Sequence, residues 1–512
     1  MADFHGILFD SPEGSRKAES AGAPDFFVDL NLDQIVASVT AGKDEYTLTP
    51  FFHVPLHEVE AVTFRHEVFQ DLESPPVLDE LKAFAAGMRG VREHLAQREK
   101  RYYDRQKERW LLDAVLLYGE SISRLARDLA ATTLRSRGLL AFRDWLARYA
   151  ASEAFAALVA EARQLAAALA TIRYTVHIQG LRVDVRHAAG EADYSREIQA
   201  TFARFQQGDV KAHTFEFRDD LEMNHVEAEI LEGVAHLHPA LFAQLRAYCA
   251  THSEFRDPAI IAFDREIQFY IAYLDHIAPL RKAGLPFCYP TLSVSRKDEA
   301  VREGFDLALA SKLATVNAVP VCNDFALSGP ERLLVVSGPN QGGKTTFARM
   351  VGQLHYLASL GCPVAAAQAQ LYLPDRIFTH FEREEHMTTL RGKLEDDAVR
   401  IHEILVAATP RSLLVINEIF ASTTLQDALF LSREIAAALL ELDVLGVWVT
   451  FLDEIAALSE QTVSMVSTVD PENPARRTFK ILRRPADGLA YAMAIARKYR
   501  LTYDQVKARI RS

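Results

Sequence analysis

The sequence predicts a mixed architecture, with a long helical region followed by an α/β domain built on a parallel sheet. Three observations carry that reading. Residues 78–134 contain no proline and repeat apolar side chains every three or four positions, the period of an amphipathic helix. Beyond residue 294, short apolar runs alternate with helical patterns, as βαβ units require. The run RLLVVSG at 332–338 leads straight into a glycine loop and a helix, the local setting of a phosphate-binding turn.

Composition bounds the classes open to such a chain. Its 512 residues suffice for two to four domains, and 49% hydrophobic residues allow each a core. Lys+Arg 57 against Asp+Glu 69 gives a net charge of -12, which excludes a uniformly basic coat for nucleic acid but not a local basic patch. The four cysteines, Cys249, Cys288, Cys322 and Cys362, form no Cys-x-x-Cys pair. That argues against structural zinc or a disulfide framework and fits a reducing cytoplasm. The opening MADFHGILFDSPEG carries acids and a proline where a signal peptide needs basic and then apolar residues. No apolar run reaches the roughly 18 residues of a membrane span, so a cytoplasmic protein without a membrane partner is expected.

In chain order, residues 1–50 hold a Gly/Pro/Ser-containing stretch from Ser11 to Pro24 and predict a poorly ordered arm followed by a short element. Residues 51–290 predict a helical domain, extended through the Ala-rich AFRDWLARYAASEAFAALVAEARQLAAALATI. Within it, 172–186 alternate around Gln179-Gly180: Tyr174, Val176 and Ile178 precede the turn, and Leu181, Val183 and Val185 follow it. That is a β-hairpin signal. TFEF at 214–217 is a second β-like piece, and helices resume from about Met223 to Arg281. The connector KAGLPFCYPTLSV (282–294) marks the boundary to a final domain, 291–512. There RSLLVINEI (411–419) and VLGVWVTFL (444–452) read as further buried strands, with the helix TLQDALFLSREIAAALLEL between them.

The sharpest motif is Gly338-Pro339-Asn340-Gln341-Gly342-Gly343-Lys344-Thr345, followed by Thr346. It satisfies G-x-x-x-x-G-K-[ST] between a strand and a helix. Glycines let successive backbone N–H groups face phosphate oxygens, and the helix N-terminus adds a favourable dipole. Lys344 is suited to the β- and γ-phosphates and the Thr345 hydroxyl to Mg²⁺, so ATP and Mg²⁺ are the expected cofactors. The strand ending in Asn417 and Glu418 supplies the second half of such a site. Glu418 is the candidate base that polarises water. Asn417 stands beside Thr345 as a metal-site residue whose amide bonds metal-held water but brings no charge.

At these residues the sequence resembles the MutS family of DNA mismatch-repair and recombination ATPases. GPNQGGKTT is similar to that family's GPNMGGKST, and VCNDFAL (321–327) resembles its Asn-containing segment before the loop strand. NEIFASTTLQD (417–427) resembles DEIGRGTSTYD, with Thr423 and Asp427 in register, and TFLDEI (450–455) falls where the family has THYFEL. LAYAMAIARKYRLTYDQVKARI (489–510) resembles its closing helices. The resemblance covers about 320–510. It implies a helical core/lever domain followed by a P-loop (ABC-like) parallel-sheet ATPase domain. It also implies a homodimer that acts as an ATP-gated clamp on mismatched, branched or otherwise deformed double-stranded DNA.

Three departures stand out. Asn417 replaces the family's Asp, and Phe451 replaces the His of its TH motif. In the stretch 388–397, TTLRGKLEDD, the family's trans-acting serine falls at Thr388 by local pattern or near Gly392 by spacing. The expectation is also that an N-terminal mismatch reader and a nuclease-like tail are lacking. Two other classes stay open: a nucleotide-binding scaffold with little hydrolysis, suggested by Asn417 and Phe451, and a non-DNA ABC-like mechanochemical ATPase. The basic stretch Arg98–Trp110 reads either as a solvated helix with pairs such as Lys100–Asp104 or as a DNA-facing patch. His236 and His238, two apart before Pro239, suit a turn better than a metal site.

Overall fold

A computed structural model describes residues 4–9, 21–180, 182–190, 223–382, 392–470, 472, 476–486 and 501–510. It divides into two contact-defined units. One comprises 79–133 and 143–264; the other comprises 1–78, 134–142 and 265–512. The chain passes between the units at 78/79, 133/134, 142/143 and 264/265, and the connector 282–294 lies inside the second of them. Among the described residues no helix is long and apolar enough to cross a membrane.

The unit of 79–133 and 143–264 is mainly helical, as the 3.6-residue pattern predicts. The Pro75–Lys100 and Asp104–Ala131 helices run antiparallel where they pack. A Cβ on Gly87 would lie 2.3 Å from Ser121 Oγ, so glycine lets the two helices meet closely. The Arg98–Trp110 stretch is not one helix. The first helix ends at Lys100, and a new one starts at Asp104 after a three-residue break. The expected Lys100–Asp104 pair requires unbroken helical register, and Asp104 pairs with Lys107 instead (3.8 Å). Arg105 meets Glu108 and Glu232, both at 3.1 Å, and Arg109 meets Asp113 at 2.8 Å.

The predicted hairpin forms. β1 (Tyr174–Gln179) and β2 (Arg182–His187) pair antiparallel, Val176 opposite Val185 and Ile178 opposite Val183. Gly180 takes the left-handed turn with φ 60°. The hairpin packs on the His225–Leu237 helix, where Val185 touches Gly233. The TFEF segment at 214–217 lies outside the described residues.

The other unit holds two sheets. β3 (Thr291–Ser293), β4 (Glu299–Gly304), β5 (Asn323–Leu327) and β7 (Gln368–Tyr372) form one, in the order β3-β7-β4-β5. β6 (Leu333–Ser337), β8 (Ile377–His380), β9 (Leu413–Asn417), β10 (Leu445–Val449), β11 (Thr462–Val469) and β12 (Arg477–Arg483) form the other, in the order β12-β11-β6-β10-β9-β8. All neighbours in the larger sheet are parallel except the β11–β12 pair at one edge. The mixed α/β class read from strand–helix alternation is therefore observed. β6, β9 and β10 are buried at every position, because helices cover both faces. Val335, Ile416 and the fully buried Trp448 lie side by side on one face, under Ile401, Ile435 and Leu439 from two helices. The Lys344–Ser359 helix packs against β9 and β10.

Residues 10–20 of the expected arm lie outside the described residues, and the expected short element is the helix Leu32–Thr40. The described residues on either side of 10–20 are docked. Ile7, Leu8, Leu30 and Leu32 are fully buried or nearly so. The Ile7 and Leu8 amides donate to Glu266, and the Tyr270 hydroxyl donates to the Ile7 carbonyl. Residues 29–56 dock along the phosphate-loop helix. Arg349 donates to the Asp29 carbonyl (2.8 Å), Gln353 to that of Leu30 (2.9 Å) and Tyr356 to that of Phe52 (2.8 Å). Backbone carbonyls that leave regular structure need such donors when buried. The polar side chains of this helix serve that purpose.

Candidate functional site

The larger sheet sets the site by register. Parallel strands present their C-terminal ends on one side, where ligands of open α/β sheets bind. There Val449 lies beside Asn417, and the Glu418 amide donates to the Val449 carbonyl (2.9 Å). The chain leaves β6 at Gly338 (φ 113°), and Gly343 (φ 90°) opens the next helix. Both conformations favour glycine. The fit around the loop is close. A Cβ on Gly342 would lie 2.2 Å from Ser467 Oγ, and the Ser467 hydroxyl donates to the Gly342 carbonyl at 2.7 Å.

Lys344 is folded back on this loop. Its ammonium donates to the Gly338 carbonyl (3.0 Å), the Pro339 carbonyl (3.4 Å) and Asn340 Oδ1 (3.2 Å), and lies 3.7 Å from Glu418. Burial pulls its pKa below the usual lysine value, against the Glu418 carboxylate, which raises it. Carbonyl dipoles and one half-exposed carboxylate hold this cation where a phosphate chain offers stronger acceptors. The Thr345 hydroxyl donates to Asn417 Oδ1 at 2.9 Å. Asn417 thus presents the oxygen that an aspartate would, without its charge. Glu418 has φ 54°, an uncommon conformation for a side-chain-bearing residue.

A cavity of about 750 Å³ opens beside these groups. Asn340, Gln341, Gly342, Gly343, Lys344, Thr345, Thr346 and Glu418 line one end. Apolar side chains, among them Leu309, Leu313, Val319 and Met350, line the other. Gly338 and Pro339 lie at the base of the loop and Asn417 behind Thr345, so the predicted residues converge. The residues fit a nucleotide triphosphate with a divalent cation. The loop would hold the phosphates with its amides and Lys344, and Thr345 and Asn417 would hold the cation's shell.

Other predicted positions fall elsewhere. Phe451 is half exposed beyond the end of β10 and does not line the cavity. Asp453 starts a short 3₁₀ turn and lines a separate cleft with Arg483 and Arg484. Asp427 accepts from the Thr424 hydroxyl (2.7 Å) at the N-cap of the Leu425–Glu441 helix. Thr388 lies outside the described residues, while Gly392 caps the Lys393–Ala407 helix.

Sequence reasoning missed Ser467, Phe479 and Asp306. Phe479 lines the cavity beside Gly343 with φ 59°, an outlier for an aromatic residue, and Asn323 donates to its carbonyl at 3.1 Å. Only the Asn323-containing segment carried a signal, through its place before the loop strand.

Residues 334–501 match the family described as MutS domain V. The chain is 34% identical over 196 residues to Endonuclease MutS2 of Thermus thermophilus, covering 36% of this chain and 25% of that protein. It is 29% identical over 219 residues to DNA mismatch repair protein MutS of Shouchella clausii, covering 42% and 24% respectively. The match therefore spans about a quarter of the length of these relatives.

Proposed function

We propose, from the match of residues 334–501 to MutS domain V and the likeness to MutS2 and MutS proteins, that the chain is a MutS-family ATPase that binds double-stranded DNA, as a homodimer, and couples nucleotide state to its grip on DNA. The observation that carries the reading is the convergence of Lys344, Thr345 and Glu418 on one cavity, with Asn417 bonded behind Thr345. In this reading 291–512 is the ATPase domain and 51–290 the core/lever domain. The loop amides and Lys344 neutralise the phosphates, and Thr345 with Asn417 orients the Mg²⁺ shell. Glu418 takes the proton of the attacking water. Mg²⁺ supplies charge neutralisation on the phosphates when bound. The preferred DNA is mismatched, branched or otherwise deformed duplex, and binding weakens as salt rises.

The uncharged Asn417 favours a second reading, a nucleotide-binding scaffold with little hydrolysis. Titrating the 512-residue chain with ATP, and separately with duplex and branched DNA at several salt concentrations, tests the proposal. ATP binding lost in Lys344→Ala, together with salt-dependent DNA binding, supports it. ATP binding unchanged by that substitution refutes the site. Indifference to every DNA favours the non-DNA ATPase.

A further inference from the structure

The cavity beside the phosphate loop is not uniformly apolar at its far end. It runs along the Lys344–Ser359 helix as far as Met350, six residues from Lys344, or roughly 9 Å of helix rise. Phe305, Leu309, Leu313, Val319 and Met350 make an apolar end suited to a flat heterocycle. One carboxylate stands among them. Asp306 lines the same cavity and is only 4% exposed.

Asp306 is held rigidly. Its Oδ1 accepts from the Leu309 amide and from Gln353 Nε2, both at 2.9 Å, and the Ala308 amide also bonds its carboxylate. The Gln353 carboxamide is itself fixed, accepting from the Leu307 amide (2.8 Å) and donating to the Leu30 carbonyl. A carboxylate presents about four lone-pair sites. Three donors occupy it here, so acceptor capacity is left for a ligand. Burial raises the Asp306 pKa, against the Leu309 amide, Gln353, Arg349 and the Ala308 amide, which hold it down; in its ionised form the carboxylate offers no donor, so it suits an amine and repels a keto oxygen.

We propose that Asp306 reads the exocyclic amine of the nucleobase and selects adenine over a 6-keto purine; the inference rests on the nucleotide reading above. A site built to bond a polar substituent rejects the analogue lacking it, because its buried acceptor is then left unpaired.

The test is equilibrium binding of ATP, GTP, inosine triphosphate and inorganic tripolyphosphate to the full chain, wild type and Asp306→Asn. Wild type is expected to favour ATP over inosine triphosphate by about tenfold or more, the range for a hydrogen bond to a charged group. Asp306→Asn keeps an oxygen for the helix cap and replaces the other with a donor. It should weaken ATP, tighten the keto purines and leave tripolyphosphate unchanged. Equal binding of ATP and inosine triphosphate by wild type overturns the proposal even if the variant does not fold. A preference that persists in folded Asp306→Asn overturns it too. Loss of all nucleotide and tripolyphosphate binding by wild type refutes the underlying nucleotide site instead.

Discussion

Asn417→Asp restores a negative charge behind Thr345, and the size of its effect follows from the geometry. The Thr345 hydroxyl lies 2.9 Å from Asn417 Oδ1, and that bond survives the isosteric change. A magnesium ion on the hydroxyl at about 2.1 Å would sit on the order of 5 Å from the new carboxylate. At ~5 Å and an effective dielectric near 20, each unit charge contributes about 3 kcal/mol. The neighbouring Glu418 side chain is 34% exposed, so solvent and salt screen the site. A net gain of about 1–2 kcal/mol is expected, a factor of roughly 5–30. The assay is ATP binding and steady-state hydrolysis as a function of Mg²⁺ for wild type and Asn417→Asp. The variant should half-saturate at five- to thirty-fold lower Mg²⁺ and hydrolyse faster at limiting Mg²⁺, on the order of that same factor. An unchanged half-saturation point would refute the argument that the amide leaves the cation site short of charge.

Three further outcomes are expected. Glu418→Gln should bind ATP but hydrolyse it about a hundredfold more slowly, the low end of general-base effects; full activity would remove Glu418 as the base. Gly352→Ala places a methyl 2.7 Å from both Leu30 methyl groups. Denaturant titration should show a loss of about 1–3 kcal/mol. That loss should shrink in a Leu30→Ala background, whereas strict additivity would contradict docking of residues 29–56 on the helix. Glu266 is pushed up to about 7 by burial, against the Ile7 and Leu8 amides that hold it down. Its folded pKa lies above its unfolded value, so the unfolded chain ionises first. Wild-type stability should fall, relative to Glu266→Gln, as pH rises from about 4.5 to 7, and level off above. Parallel melting curves for the two proteins over that window would disprove it.

The parts legible in the sequence were those whose physics is local. β6, β9 and β10 are buried on both faces, so they read as unbroken apolar runs. The phosphate loop is contiguous, and the hairpin alternates around Gln179-Gly180. β12, RTFKILR, lies at the sheet edge with most of its side chains partly or fully exposed, and its pattern gives no strand signal. The burial of residues 4–9 depends on Glu266 and Tyr270, more than 250 positions away. No periodicity reveals such a partner. The helix break at Lys100 likewise carries no glycine or proline to announce it. Within the site, Asp306 and Phe479 reach the cavity from segments with no fixed spacing to the loop, so only the folded chain brings them into view.

ATP hydrolysis by the 512-residue chain, measured with and without branched DNA and with Lys344→Ala as the control, tests the coupling between nucleotide and DNA most directly. The account predicts hydrolysis that depends on Lys344 and on Mg²⁺, and a rate that changes when branched DNA is added. A rate insensitive to DNA at low salt, or hydrolysis that persists in Lys344→Ala, would contradict it.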